Sequence, residues 1–190
     1  MDDVGATTVG ALLGALRRGG AAAATARKRL AFAGDALEGG GRAQLRAAVA
    51  GELAASLGPA DEGVARWLLR QEIAAQQARG SGASEALLTL VAAVARYGRP
   101  DDALLIWRAR EATPETRAAV DVEQMARADL TSTRATLARL AASADAQEAE
   151  AARRALDWLE EGAAVGALGD LPGYFLWADE RFGLAVSGPT

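Results

Sequence analysis

The stretch YGRPDDALLIWRAREATPETRAAV, Tyr97 to Val120, decides how the rest of the chain is read. Gly98 and Pro100 turn the backbone, because Gly accepts a left-handed conformation and Pro removes a helical donor. Asp101 and Asp102 stand where a new helix begins, negative side chains at the positive end of its dipole. Leu104, Leu105 and Trp107 give that helix an apolar side, and it halts before Pro114. Thr113-Pro114 is itself a helix entry, since Thr caps free backbone amides and Pro fits the first turn. One stretch thus ends a helix, completes a second and opens a third.

The same grammar runs outward in both directions. Val9, Leu12, Leu13 and Leu16 fall at i, i+3, i+4 and i+7, one helical face, with Thr7 or Thr8 placed to cap it and Gly19-Gly20 to end it. A second helix is predicted over 21–37 with Leu30 and Leu37, broken at Gly39 to Gly41. A third over 42–57 carries Leu45, Val49, Leu53 and Leu57; Asp61 is placed to cap a fourth, with Val64, Leu68 and Ile73. Gly80 to Ser84 punctuate, and a helix from Glu85 follows with Leu87, Leu90, Val91 and Val94 on one face. Helices are then predicted over 115–128, 132–142 and 146–161, whereas GALGDLPG reads as a loop.

No run alternates as a strand does, and 49 of the 190 residues are Ala, the strongest helix former and small enough to let helices approach closely. The expected fold is all-α, with eight to ten helices in antiparallel hairpins, because short connections join antiparallel neighbours. Residues 1–170 read as one helical domain and 171–190 as an aromatic C-terminal capping or docking segment.

Gly98 at the turn, Ala103 opening the next helix, Trp107 four residues on and Pro114 beyond it resemble the TPR pattern. Arg117 after the Pro break, echoed by Arg153 on a later helix, is similar to the HEAT pattern. The resemblance spans residues 85–160, and the first 80 residues share only helix length and spacing. It implies an α-solenoid of TPR-like or HEAT-like hairpins, a scaffold for protein or peptide binding rather than an activity.

The composition excludes much chemistry. With no Cys and no His, thiol nucleophiles, disulfides, Cys/His zinc sites and imidazole catalysis are all ruled out. No glycine loop has Walker or dinucleotide spacing. The net charge of −4 argues against nucleic acid as a partner, as does the lack of interleaved basic and aromatic residues. The N-terminus places acidic residues before a short, Gly-interrupted apolar run, unlike a signal peptide or a membrane span, so a cytoplasmic protein without a span is expected. The carboxylate pairs Asp101/Asp102, Asp145/Glu148 and Glu160/Glu161 read as caps and dipole partners rather than metal ligands or acid–base pairs. No catalytic residue, metal ligand or cofactor is assigned.

Candidate binding residues are of two kinds. Trp67, Trp107 and Trp158 recur on separate helices beside Arg70, Arg108 and Arg110, residue types enriched at binding hot spots; Trp also fills space between Ala-rich helices. Tyr174, Phe175, Trp177 and Phe182 are four of the nine aromatics, packed into nine residues. They are expected to be largely buried, against the last helices or across a homodimer interface, with Tyr174 and Trp177 as docking residues. Arg17, Arg18, Arg27, Lys28, Arg29, Arg42 and Arg46 form either a basic face for an acidic partner or ordinary helix-end cations. The function these features suggest is a non-enzymatic module presenting a groove or end face to a protein or peptide. The alternative is a small-molecule-binding protein, or a minor enzyme, with a Trp/Arg/carboxylate pocket between helices.

Overall fold

The computed structural model describes residues 3–34 and 40–184. Among the described residues there is no strand; the chain forms ten α-helices and three 3-10 turns. The helices are α1 (Asp3–Arg18), α2 (Gly20–Leu30), α3 (Gly40–Ala55), α4 (Glu62–Arg79), α5 (Glu85–Ala95), α6 (Ala103–Arg110), α7 (Pro114–Ala119), α8 (Leu130–Ala141), α9 (Ala146–Ala164) and α10 (Leu171–Arg181). The 3-10 turns are Pro59–Asp61, Pro100–Asp102 and Val122–Ala126.

The centre is set by residue pattern. Nine of the eleven residues of α5 are buried, on every side of the helix, so it must be surrounded. It packs against α3, α4, α6 and the turn Val122–Ala126. Ser84 starts it, accepting from the Leu87 amide at 3.2 Å. Short α6 is almost as apolar, with Ala103 to Trp107 and Ala109 buried. The outer helices bury one stripe each: on α9 it is Ala149, Ala152, Ala155, Leu159 and Gly162. The packed pairs are α1 with α2 and α3, α4 with α5, and α9 with α6 and α8, while α10 rests on Val122–Ala126. One apolar core runs from Leu12 to Leu184, and each fully buried Leu in it contributes about 2 kcal/mol.

Several sequence expectations need correction. Helix α1 starts at Asp3, so Thr8 lies inside it rather than at its cap. The helix expected over 21–37 ends at Leu30: Ala31 turns extended and the Phe32 amide donates to Gln71 Oε1 at 3.1 Å. Leu37 and Gly39 lie outside the described residues, while Gly40 and Gly41 open α3 rather than break a helix. Asp61 does not cap α4; it accepts from the Gly58 amide and pairs with Arg17. The helix expected over 115–128 breaks at Val120, which is extended. Val120 and Val122 are both buried, and an unbroken helix would turn them about 200° apart. Within GALGDLPG, Asp170 caps α10 and Pro172 sits in its first turn, so a helix begins where a loop was expected.

Candidate functional site: a tryptophan and arginine groove

Helix α9 carries Gln147, Glu150, Ala151, Arg154 and Trp158, spaced so that one face presents them all. Helix α6, packed against α9, brings Trp107, Arg108 and Arg110, and Glu111 is its C-terminal cap residue. With Gln77 of α4, Trp107, Arg108, Glu111 and the α9 residues up to Arg154 line a cavity of about 490 Å³.

The geometry around Trp107 is specific. The rings of Trp107 and Trp158 lie 5.6 Å apart at 52°. The Arg110 guanidinium carbon sits 4.2 Å from the Trp158 ring centre and 5.1 Å from that of Trp107, and Arg154 lies 5.6 Å from Trp107. These are cation–π distances, and the rings' negative faces hold the cations in place. Trp107 is buried, so it is wall and floor rather than a projecting anchor.

The charges do not balance locally. Glu111 Oε1 accepts from Arg110 Nη1 at 2.7 Å and from Arg117 Nε at 3.0 Å, while Oε2 accepts from Arg154. Three guanidiniums thus share one carboxylate. Buried Arg110 Nε has no acceptor among the described residues. Burial pushes the Arg110 pKa below the ordinary arginine value; Glu111 opposes this and Arg117 and Arg154 add to it. Glu150 is engaged by Arg153 at 2.8 Å. Arg108 stands exposed on the rim and has no ion pair among the described residues.

Comparison with known protein families, curated proteins and solved structures finds no match. The chemistry must therefore be read from the groove itself. It offers guanidinium donors, amide groups and an aromatic wall, an arrangement suited to holding anionic oxygens beside apolar surface.

Of the residues singled out from sequence, the structure brings Trp107, Arg108, Arg110 and Trp158 together here. Trp67 lies elsewhere, with the Arg27 guanidinium 5.6 Å from its ring, and Arg70 is exposed outside the groove. The tail is only partly as expected. Tyr174 is half-buried, donating to Asp121 at 3.0 Å and accepting from Gln124 at 2.9 Å, and burial followed by the Asp121 charge raises its pKa. Arg127 clamps buried Asp179 of α10 with two bonds of 2.7 Å and stacks on Phe175. Phe175 and Phe182 are half-buried as well, whereas Trp177 is 51% exposed and Leu176 72%, so within one chain Trp177 is not buried against the last helices as one of the two expectations had it.

The basic N-terminal residues do not form one face. Arg46 is fully buried against Glu72 at 2.6 Å, and Arg17 grips Asp61 with bonds of 2.8 and 2.7 Å. The carboxylates serve structure: Asp145 caps α9, Glu160 pairs with Arg134, and Asp102 is buried against Arg66. Among the described residues no three acidic groups gather to hold a metal ion, and no helix is long and apolar enough to cross a membrane.

Sequence reading missed Glu111, Arg117, Arg154, Gln77 and Gln147. A signal for Arg154 was present, since Glu150, Arg154 and Trp158 recur at i, i+4 and i+8.

Proposed function

We propose that this protein is a non-enzymatic interaction module and that the groove between α4, α6 and α9 receives a segment of a partner protein. The observation that carries the reading is the open cavity walled by Trp107 and rimmed by Arg108 and Arg154. Trp and Arg are the side chains that most often dominate binding energy, here already fixed by packing against each other. Fixed side chains lose less entropy when a partner arrives. The helical-hairpin arrangement of TPR or HEAT type belongs to the same proposal, with the groove as one site on a scaffold.

The test is capture from native lysate with wild type and with Arg108→Glu and Arg154→Glu. Partners held by the groove are expected to disappear in both variants while the circular dichroism spectrum stays helical. An identical captured set in all three would end the reading.

The cavity volume of about 490 Å³ also falls within the range of small-ligand sites. A metabolite that raises the melting temperature of wild type but not of Arg154→Glu, with no captured partner, would favour that second function.

A further inference from the structure

We infer that the groove's occupant is an acidic stretch of the partner, a carboxylate side chain next to an aliphatic one. This deepens the reading of the groove as a protein-binding site and rests on it.

The first argument is charge. Arg110, Arg117 and Arg154 share the single carboxylate of Glu111. Arg153 engages Glu150, the other carboxylate lining the cavity, and Arg108 has no ion-pair partner among the described residues. The cations outnumber the anions that could answer them. Like charges held this close repel one another, so a further anion relieves the cluster and a cation aggravates it.

The second argument is shape. Glu111 already shows how a carboxylate is accommodated, with each oxygen accepting from guanidinium donors of separate helices. Arg154 gives Nη2 to Glu111 but is exposed as a residue, and exposed Arg108 lines the same cavity, so a second carboxylate finds guanidinium donors on the open side. The third argument is the apolar wall. Ala151 and the edge of Trp107 line the same cavity and offer an aliphatic side chain a dry surface.

The test uses the full chain, labelled with 15N, and watches the four tryptophan indole N–H resonances. The probe is a capped hexapeptide of alternating Leu and Glu; the controls are its Leu/Lys counterpart and inorganic phosphate. The acidic peptide is expected to shift the Trp107 indole saturably while Trp67 and Trp177 stay in place. Binding should weaken with added salt, and fall about tenfold or more in Arg108→Glu and in Arg154→Glu. Unmoved Trp67 and Trp177 resonances show that those variants remain folded. Glu111→Gln is the decisive companion: removing the resident carboxylate should tighten the acidic peptide several-fold, whereas a merely structural ion cluster would give no gain.

Equal response to the Leu/Lys peptide, phosphate binding tighter than the acidic peptide, or weaker binding in Glu111→Gln would each overturn the inference. If the arginine variants lose a captured partner yet the acidic peptide shifts nothing, the groove reading survives and the acidic assignment fails. If the peptide binds but no partner is ever captured, the carboxylate chemistry stands and the interaction-module reading fails.

Discussion

Asp61 shows how one residue's surroundings translate into behaviour in solution. It is buried, and burial alone would raise its pKa; the Arg17 guanidinium and the Gly58 amide overcome that and hold it below the ordinary aspartate value. A carboxyl with a lower pKa in the folded state than in the unfolded one stabilises the fold above its unfolded pKa, and this contribution is lost as pH falls through the folded value. Urea midpoints measured between about pH 5 and pH 2 should therefore drop less steeply in Asp61→Asn than in wild type. Asp102 has the opposite sign. Burial lifts its carboxyl despite Arg66, so its contribution is full below its unfolded pKa and fades as pH rises through the folded value. A steeper acid loss in Asp61→Asn would mean that the Arg17 pair is not the dominant influence on that carboxyl.

At the scale of elements, α9 approaches the turn Val122–Ala126 tightly. A Cβ added at Gly162 would meet Val122 Cγ1 at 2.8 Å and Cγ2 at 3.2 Å. Ala for Gly inside a helix ordinarily stabilises by about 1 kcal/mol. Here the added methyl must push a buried valine, and overpacking of this kind costs about 1–3 kcal/mol. Gly162→Ala is therefore expected to lower stability by about 1 kcal/mol, the difference between these opposing effects. Val122→Ala in the same chain should recover part of the loss, as a double-mutant cycle in urea would show. The same turn exists because Val120 and Val122 both go inward, and it supports α10 from below. Asp179, clamped by Arg96 and Arg127, fixes α10 with Ala178 and Asp179 inward, which leaves Leu176 and Trp177 exposed.

For the whole molecule, one tie that joins several helices is polar. Arg46 of α3 donates to Glu72 of α4 and, at 3.3 Å, to the Leu30 carbonyl at the end of α2, while Glu72 also accepts from Ser84 before α5. Four helices are thereby registered against one another through a buried pair. Arg46→Ala leaves a buried, unpaired carboxylate and should cost about 3–5 kcal/mol, a large share of a domain's stability. The double variant Arg46→Met with Glu72→Met leaves no unpaired Glu72 carboxylate, so it should lose less of the wild-type urea midpoint than Arg46→Ala. Equal destabilisation in the single and double variants would show that the pair itself supplies the stability.

What the chain determined by itself acts over short range. Ser84 and Thr113 cap the helices they precede, Pro100 and Pro114 stand in first turns, and left-handed Gly80 closes α4, because caps and backbone sterics operate within one turn of helix. Apolar spacing marked Leu53, Leu68, Leu87 and Leu90 as core for the same local reason. Half of the groove was legible too, since Trp107, Arg108 and Arg110 are neighbours on one short helix. Only the tertiary structure decided that Trp158 and Arg154 come to meet them, that Arg46 alone of the early cations is buried, and that Trp177 faces out. Those outcomes depend on which distant helix faces pack together. The governing quantity is the balance of burial, ion pairing and desolvation summed over the fold, which no local pattern encodes.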